Sequence, residues 1–339
     1  MSGSASEDRP GVSIVVPVYR GADCLVPLVE AVTAALRPLG IDFEVILVND
    51  GSPDHSWDVI ERLCQTRPDV IGIDLRRNFG QDNAIVTGLR FARGRSVAIM
   101  DDDLQHDPAD LPALLAKLSN GADVVYADFQ AKRQAPWKNL GSWFNGKVAE
   151  WVLNKPKGVY MSPYKVVRKE VADLVCRYEG PEPYVDGLLL QATSRFDRVR
   201  VEHHPRYAGH GNYTFWRSVG VWARLATSFS VRPLRLVTWC GLALGLLGGL
   251  LALVVIVQRL LFPERFAAAV AGWASLMVAQ LLIGGVQMVF LGVLGEYAGR
   301  THTTIAGKPQ ATIREVLNTE ARRDDHANEI KAGLATIRG

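Results

Sequence analysis

Short apolar runs alternate with segments of helical spacing along the N-terminal third of this chain. The apolar runs predict strands at residues 12–18, 43–48, 70–75, 96–100 and 123–127. The segments between them predict helices at residues 22–39, 56–65, 81–93 and 109–118. Strands that are apolar throughout must be covered on both faces, and helices between consecutive strands supply that cover. The pattern predicts an α/β domain with a mostly parallel sheet over residues 11–212, after a disordered N-terminus at 1–10.

Polar residues cluster directly after three of the predicted strands. These clusters are residues 49–52 (Asn-Asp-Gly-Ser), 76–80 (Arg-Arg-Asn-Phe-Gly) and 101–105 (Asp-Asp-Asp-Leu-Gln). In a parallel sheet, ligands bind outside the carboxyl ends of the strands. The placement of the three clusters therefore predicts a ligand site at this edge of the sheet.

The cluster at 101–105 has the clearest chemistry. Asp101 and Asp103 stand on alternate residues after a predicted strand, so both carboxylates can face one cleft. Mg²⁺ and Mn²⁺ prefer oxygen ligands and share their coordination with substrate phosphates. Such a cation would stabilise a leaving diphosphate as a Lewis acid. The alternative is a solvated acidic turn that caps the next helix.

Two other strand ends offer weaker signals. The Asp50 carboxylate could accept hydrogen bonds from a base or a ribose, or it could belong to a tight turn in which Gly51 supplies a positive φ. Tyr19 follows the first strand and could equally pack on its own loop. The chain has no GxGxxG, GxxxxGK[ST] or HExxH motif, which argues against a dinucleotide oxidoreductase, a P-loop NTPase and a zinc protease. A net charge of only +3 gives no indication of nucleic-acid binding.

Two long stretches, 236–257 and 267–295, carry no charged side chain. Because a membrane span needs about 20 apolar residues, they predict a transmembrane hairpin over 234–298, with spans at about 236–257 and 270–295. The alternative is a pair of buried core helices. Arg and Lys flank the hairpin more densely than they occupy its connector, which places both chain ends, including a tail at 299–339, in the cytoplasm. The absence of an apolar region near the N-terminus agrees with this topology. From about residue 315 the charged tail is expected to be helical or frayed.

Residues 213–233 mix aromatic residues with arginines and predict an amphipathic segment in the lipid headgroup region. Arg206 lies shortly before this segment, where its guanidinium could meet a phosphate at the membrane surface. The alternative is that Arg206 binds bulk lipid headgroups. The glycine pairs 248–249 and 284–285 would allow close helix packing, and with it a homo-oligomer.

Several of these segments together resemble family 2 of the inverting GT-A glycosyltransferases, within its polyprenyl-phosphate sugar transferase branch. That branch includes dolichol-phosphate mannose synthase, the phage-type bactoprenol glucosyltransferases and the undecaprenyl-phosphate aminoarabinose transferases. The resemblance covers about residues 11–316 and rests on VSIVVPVY, VILVNDGS, RRNFGQ, DDDLQHDP, SPYKV, HHPRYAGHGNY and FLGVLGEYAGR. It implies a Rossmann-like GT-A domain, followed by an interfacial amphipathic helix and a two-helix transmembrane hairpin.

The resemblance also implies roles for individual residues. Nucleotide-sugar binding falls on Pro17, Tyr19, Asp50, Asn78, Asp101 and Asp102. The metal site, for Mg²⁺ or Mn²⁺, falls on Asp101, Asp103 and Gln105. Phosphate binding falls on Lys132, Arg133 and Arg206. The candidate catalytic residues are Asp103, Asp186 and Arg206.

The chain departs from the family pattern in three places. Arg20-Gly21 stands where Asn-Glu is usual, Gln81 stands where Lys is common, and residues 162–165 supply no carboxylate base. A phosphate monoester has a second pKa of about 6 and is already mostly dianionic near neutral pH, so it can attack without a base. Asp186 is the best remaining carboxylate, with a helix N-cap as the alternative role.

The sequence therefore predicts metal-dependent, inverting transfer of one sugar from a UDP-sugar, less favourably a GDP-sugar, to undecaprenyl phosphate or a similar polyprenyl phosphate. The reaction is expected at the cytoplasmic face of the membrane. One alternative is a processive polysaccharide synthase, although the QxxRW motif of such enzymes is absent from the sequence. The other is a non-catalytic membrane scaffold, which would not need polar motifs at the strand ends.

Overall fold

The computed structural model describes residues 10–129, 161–201, 232–261 and 273–319. The chain divides into two compact units, and residues 213–306 form most of the second. The described part of the first unit is built on one sheet of eight strands: β1 (Val12–Val18), β2 (Phe43–Asn49), β3 (Val70–Leu75), β4 (Ser96–Ile99), β5 (Val124–Phe129), β6 (Lys165–Arg168), β7 (Phe196–Val201) and β8 (Ile313–Leu317). Its helices are α1 (Leu25–Leu36), α2 (Ser56–Thr66), α3 (Gln81–Phe91), α4 (Leu111–Ser119), α5 (Lys169–Cys176) and α6 (Val185–Ala192).

The strand order across the sheet is β7-β5-β6-β4-β1-β2-β3-β8. Neighbours among β3, β2, β1 and β4 are parallel, whereas β6 runs antiparallel to both β4 and β5, and β8 runs antiparallel to β3. Because β5 and β7 are parallel to each other, six of the eight strands share one direction. The predicted α/β fold with a mostly parallel sheet is confirmed.

The centre of the sheet is buried on both faces. Every residue of β1 and β3 is buried, as is all of β2 after Phe43. Side chains alternate between the two faces of a strand, so Ile14 and Val16 pack in the core that α1, α2 and α4 cover, while Val15 lies against α3. Continuous apolar strands fold in this way because only a double cover of helices removes both faces from water.

The sequence predicts the second half of the sheet less well than the first. No elements were assigned between residues 161 and 201, where the structure has β6, α5, α6 and β7. β7 is Phe-Asp-Arg-Val-Arg-Val and is mostly half-exposed at the edge of the sheet, so it lacks the apolar run of a central strand. An edge strand needs burial on fewer sides and therefore shows a weaker pattern.

The expectation of a helical or frayed segment from about residue 315 was wrong for residues 315–319, and the rest of that segment lies outside the described residues. Residues Ile313–Leu317 form β8, which pairs with β3 and places Val316 opposite Ile73. The Asn318 side chain closes this edge because its amide donates to the backbone carbonyls of Cys64 and Val70, each at 2.8 Å. Because Arg314 and Glu315 interrupt the apolar pattern, the sequence did not indicate a strand here. β8 covers the edge of β3, which would otherwise be exposed.

The described part of the second unit consists of two long helices, α7 (Arg232–Leu261) and α8 (Trp273–Ile305). Helix α7 includes the whole of the predicted first span, and α8 extends beyond the predicted end of the second. Among the residues that the structure describes, no helix has both the length and the apolarity needed to cross a membrane. The predicted amphipathic segment at 213–233 lies almost entirely outside the described residues.

The packing of α3 on β1 gives a test of the core. An alanine Cβ at Gly88 would lie 2.5 Å from Val15 Cγ1 and 3.1 Å from Val48 Cγ2. Both valines are fully buried and are stiff at χ1, so they have little room to move. Gly88→Ala should therefore lower the free energy of unfolding by about 1–3 kcal/mol, although alanine favours helix by about 1 kcal/mol.

The measurement is denaturant unfolding of the purified protein, followed by circular dichroism. Gly245→Ala in α7 is the matched control, because nothing lies within 4 Å of its new Cβ. A Gly88→Ala protein as stable as the wild type would contradict the packing described for α3.

Candidate functional site

A cleft of about 330 Å³ opens at the carboxyl ends of β1, β2 and β4, next to the first turn of α3. Its lining residues are Pro17, Val18, Tyr19, Asp50, Asn78, Gly80, Gln81, Asp101, Asp102 and Asp103. These residues come from the end of β1, from the three predicted polar clusters and from Gln81 beside one of them, which are far apart in the sequence. They meet because parallel strands end at a common edge of the sheet.

The structure thus brings seven of the predicted site residues to one cleft, namely Pro17, Tyr19, Asp50, Asn78, Asp101, Asp102 and Asp103. Two predicted residues that the structure describes, Gln105 and Asp186, are not among those that line it. The remaining three, Lys132, Arg133 and Arg206, lie outside the described residues.

Asp50 is buried at the end of β2 and is held by the loop that follows β3. Its Oδ1 accepts the Phe79 N–H at 2.7 Å, and its Oδ2 accepts the Gly80 N–H at 2.9 Å. Burial raises the pKa of the Asp50 carboxyl, while the two amide hydrogen bonds act in the opposite direction. A carboxylate fixed in this way is a rigid acceptor at the wall of the cleft.

The turn after Asp50 depends on Gly51. Its φ is +59°, and a Cβ at this position would lie 2.5 Å from the carbonyl carbon of Arg77 and from the amide nitrogen of Asn78. Any other residue would push the 76–80 loop away from β2. The glycine turn therefore allows the close approach through which Asp50 captures the Phe79 and Gly80 amides.

The three aspartates after β4 have three different partners. Asp101 Oδ1 accepts from the Gln81 amide at 2.6 Å, and Asp102 Oδ2 accepts the Tyr19 N–H at 3.1 Å. Asp103 Oδ1 accepts the N–H of Gln105 at 3.1 Å. Asp101 is thus tied to α3, and Asp102 to the residue that follows β1.

Gly21 explains one of the departures from the family pattern. A Cβ on Gly21 would collide with the carboxylate of Asp102. The Gly21 N–H donates to Ser56 Oγ at 3.2 Å, which fixes the backbone in this position. The Arg20-Gly21 pair therefore makes room for Asp102 beside Tyr19.

The electrostatics of the cleft are strongly negative. Burial raises the pKa of Asp102 to about 6, and the nearby negative charges of Asp103 and Asp54 add to the effect. The hydrogen bond from the Tyr19 N–H opposes it. Several carboxylates confined to one cleft repel one another, and a bound cation would relieve that repulsion.

The donor set fits a magnesium or manganese ion that also binds a substrate. Among the described residues, no group of three or more His, Cys, Asp and Glu side chains forms a complete metal site. Mg²⁺ does not require one, since it is commonly held by one or two carboxylates together with substrate phosphates and waters. Asp101 and Asp103 on one cleft wall would meet that requirement.

Asp186 belongs to a separate buried cluster. Its Oδ1 accepts the Tyr126 hydroxyl at 2.9 Å and forms an ion pair with Lys165 Nζ. The Lys165 side chain is only 3% exposed, so this pair is largely withdrawn from water. Asp186 is the second residue of α6, and the N-cap residue is Tyr184, so the alternative role as an N-cap is wrong.

Asp82 connects this buried cluster to the first turn of α3. Its Oδ1 accepts the Val185 N–H at 3.2 Å. Burial raises the pKa of Asp82 to about 6, and the negative charge of Asp186 contributes, whereas the Val185 N–H and the Lys165 charge lower it. Asp82 directly follows Gln81 in the sequence, so α3 contacts both the cleft and the Asp186 cluster.

The sequence predicted the residues that line the cleft better than the residues that surround it. It assigned no role to Asp82, Lys165 or Tyr126, because their partners lie more than 20 residues away. It also passed over His106, which stacks between Phe129 and Tyr164 at ring distances of 5.2 and 5.4 Å. His106 follows the Asp-Asp-Asp-Leu-Gln segment directly, and this position was the signal available for it.

The α/β fold with a polar cleft at the carboxyl edge of its sheet can be compared with known proteins. Residues 13–174 match the family model described as Glycosyl transferase family 2. The chain contains a glycosyl transferase family 2 domain and is a glycosyltransferase.

The chain is also similar to individual proteins. Undecaprenyl-phosphate 4-deoxy-4-formamido-L-arabinose transferase of Enterobacter sp. (strain 638) is 29% identical over 308 residues, which cover 91% of this chain and 94% of that protein. Among solved structures, glucosyl-3-phosphoglycerate synthase of Mycobacterium tuberculosis in complex with UDP is 16% identical, with a TM-score of 0.45 over 65% of this chain and 79% of the other. TarS 1-349 of S. aureus in complex with UDP-GlcNAc is 18% identical, with a TM-score of 0.45 over 64% and 65% of the two chains.

The contact between Gly21 and Asp102 gives a test of the cleft. Gly21→Ala should displace the Asp102 carboxylate and break its hydrogen bond with the Tyr19 N–H. Since a displacement of about 1 Å can cost about 100-fold in rate, we expect kcat/KM for sugar transfer to fall by about tenfold to 100-fold. Thermal unfolding should be measured alongside, and full activity in a folded variant would contradict the described geometry.

The partly buried carboxyl of Asp82, whose pKa is raised, predicts a pH dependence of stability. A carboxyl whose pKa is raised in the folded state destabilises that state once the pH exceeds its unfolded pKa, and the cost is complete above the folded value. Here the cost should be absent below about pH 4 and complete above about pH 6. Asp82→Asn keeps an acceptor for Val185, so it should be more stable than the wild type at pH 7.5, by up to about 3 kcal/mol.

The measurement is the free energy of unfolding of both proteins between pH 4 and pH 8. The advantage of Asp82→Asn should disappear towards pH 4, while Asp42→Asn at an exposed site should show no such trend. A difference that grows as the pH falls would have the wrong sign and would contradict the burial of Asp82.

Proposed function

We propose that the protein transfers a single sugar from a nucleotide-sugar to a polyprenyl phosphate at the cytoplasmic membrane face, with inversion at the anomeric carbon. A UDP-hexose is the favoured donor, over a GDP-sugar, and undecaprenyl phosphate is the favoured acceptor. The observation that carries the proposal is the similarity to a transferase named for undecaprenyl phosphate, which extends over 91% of the chain and so well beyond the family domain at 13–174.

The donor would lie in the cleft at the ends of β1, β2 and β4. Asp50 is fixed by two backbone amides and would accept hydrogen bonds from the base or ribose, next to Pro17, Tyr19 and Asn78. Asp101 and Asp102 would face the diphosphate and the sugar from the opposite wall. This arrangement would orient the nucleotide across the carboxyl edge of the sheet, which is the usual ligand position in such folds.

A divalent cation, Mg²⁺ or Mn²⁺, would be held by Asp101 and Asp103, with Gln105 nearby in the same loop. When bound, it would supply positive charge that stabilises the leaving diphosphate. Gln81 would keep the Asp101 carboxylate in place through its 2.6 Å hydrogen bond. Because Gln81 is neutral where Lys is common in the family pattern, it leaves the charge of Asp101 available.

The acceptor does not require a general base from the protein. A phosphate monoester is mostly dianionic near neutral pH, so its oxygen can form the new bond to the anomeric carbon while the bond to the donor diphosphate breaks. Transfer without a general base is consistent with the contacts of Asp186, because its Oδ1 already binds the Lys165 ammonium and the Tyr126 hydroxyl. Asp186 as a catalytic residue is a proposal that rests on its being the best remaining carboxylate, and Lys132, Arg133 and Arg206 as phosphate-binding residues are proposals that rest on the family pattern.

The membrane location is likewise a proposal. It is supported by the uncharged stretches at 236–257 and 267–295 and by large apolar side chains that are exposed along both long helices, such as Leu246, Leu260, Leu276 and Met288. Exposed apolar surface on this scale indicates contact with lipid or with another protein. We therefore keep the two-helix hairpin, with the catalytic domain and both termini in the cytoplasm, as the proposed anchor, and a homo-oligomer as a further option for this surface.

A processive polysaccharide synthase of the same family is the second candidate. The absence of a QxxRW motif disfavours it, as does the similarity to a transferase named for a lipid phosphate acceptor. The two functions differ in their products, since a processive synthase releases a polymer and the proposed enzyme a lipid carrying one sugar.

The test is a transfer assay with a panel of UDP- and GDP-sugars, undecaprenyl phosphate and Mg²⁺ or Mn²⁺, read by mass spectrometry of the lipid product. We expect one lipid product that carries a single sugar of inverted configuration. Asp103→Asn should reduce the rate by at least about 100-fold, because a ligand of the diphosphate-bound cation is weakened. Excess EDTA should silence the wild type.

Asp58→Asn is a suitable control, since this aspartate is exposed on α2. Transfer that persists in excess chelator would contradict the metal assignment while leaving the acceptor assignment intact. A polymeric product, or transfer to no lipid phosphate with any donor, would contradict the proposed function itself.

A further inference from the structure

Strand β8 brings an arginine to the donor side of the sheet from a distant part of the sequence. Arg314 Nη1 lies 3.0 Å from Asp74 Oδ2, and Arg314 Nη2 donates to the Arg76 carbonyl at 3.2 Å. The Asp74 side chain is only 2% exposed, whereas that of Arg314 is 56% exposed. A buried carboxylate is thus neutralised by a cation that reaches it from the sheet edge.

Hydrogen bonds connect the Asp74 carboxylate to β2 and to the turn beside the cleft. Its Oδ1 accepts from the Asn49 side-chain amide at 2.7 Å, and Asn49 Oδ1 accepts the Ser52 N–H at 3.3 Å. Asn49 directly precedes Asp50 and pairs with Asp74 in the β2–β3 register. Arg314 is therefore connected through two side chains to the turn that carries Asp50.

A second path leads from β8 to the same carboxylate through the backbone. The Arg76 N–H donates to the Thr312 carbonyl at 2.9 Å, while the Arg76 carbonyl accepts from Arg314. Arg76 begins the loop whose Phe79 and Gly80 amides bind Asp50. Both paths lead to Asp50. The first ends at the turn that carries Asp50, and the second ends at the loop whose amides bind its carboxylate.

We propose that Arg314 is a positioning residue for the nucleotide part of the donor, a role that rests on the proposed function of the cleft. It pairs with the Asp74 carboxylate that Asn49 also binds, and it fixes the start of the 76–80 loop. Removal of Arg314 leaves the buried Asp74 carboxylate without its cationic partner, so Asp74 and Asn49 would rearrange and Asp50 would lose its fixed geometry. The strand that follows α8 would thereby control donor affinity without touching the donor.

The test is titration calorimetry of UDP in the presence of Mn²⁺, with the full-length protein in detergent. Arg314→Met removes the charge and retains much of the length of the side chain, and it should weaken UDP binding by about threefold to tenfold, which is within the range of coupling between residues of one hydrogen-bond network. Arg314→Lys keeps the charge near Asp74 but loses the second bond to Arg76, so it should fall between Arg314→Met and the wild type. The KM for undecaprenyl phosphate should not change.

Arg198→Met is the matched control. Arg198 Nη1 also lies 3.0 Å from a carboxylate, Asp128 Oδ2, and its side chain is 48% exposed, but it stands on β7 at the far side of the sheet. This variant should bind UDP as the wild type does. Asp74→Asn should weaken binding as well, and the double variant with Arg314→Met should bind no more weakly than the worse single variant, since both act on one path.

The outcomes separate the two proposals. If the wild type binds UDP and Arg314→Met binds it equally well, the role of Arg314 is overturned and the proposed function stands. An equal loss of donor and acceptor binding, with a lowered melting temperature, would also overturn it, because that pattern reports a purely structural residue. If the wild type does not bind UDP at all, the donor assignment fails and the inference fails with it.

Discussion

The two hydrogen bonds that Asp50 accepts from the Phe79 and Gly80 amides tie together the parts of the chain that form the site. A charged acceptor in a buried position makes such bonds strong and makes their loss costly. They join the end of β2 to the loop after β3, and that loop leads into α3. Gly51 permits the approach, since a side chain there would collide with the backbone of Arg77 and Asn78. The wall of the cleft, the start of α3 and the position of Gln81 all depend on this contact.

The wall of the cleft formed by Asp101, Asp102 and Asp103 is shaped by repulsion between carboxylates as well as by hydrogen bonds. Asp101, Asp102 and Asp103 follow β4 in a short loop, and burial together with neighbouring charges raises the pKa of Asp102 to about 6. Hydrogen bonds from Gln81 and from the Tyr19 amide hold two of these carboxylates in place, and Gly21 leaves the space that Asp102 needs. A cleft of this kind is poorly suited to a bare anionic diphosphate and well suited to one that arrives with a divalent cation. Lys165 and Arg314 each neutralise a carboxylate that lies outside the cleft.

The sequence was informative where a single physical rule dominates. Strands such as β1 and β3 are buried on both faces, so their apolar runs identified them, and the polar residues after β2, β3 and β4 identified the cleft. It failed where the decisive partner is distant in the chain. β8 has charged residues and is stabilised by the edge of β3, and the Asp186 cluster is assembled from β5, β6 and α6. Helix propensity and hydrophobic period do not encode such long-range pairs. The replacement of a family Glu by Gly21 became intelligible only when Asp102 was seen beside it.

The central claim is that the cleft at the carboxyl ends of β1, β2 and β4 binds the nucleotide of the sugar donor. Photolabelling with 5-azido-UDP-glucose in the presence of Mn²⁺, followed by peptide mapping, tests this most directly. We predict that the label attaches to peptides containing Tyr19, Asp50 or Asn78, and that excess UDP prevents it. Labelling that UDP suppresses but that maps to other peptides of the chain would contradict the account.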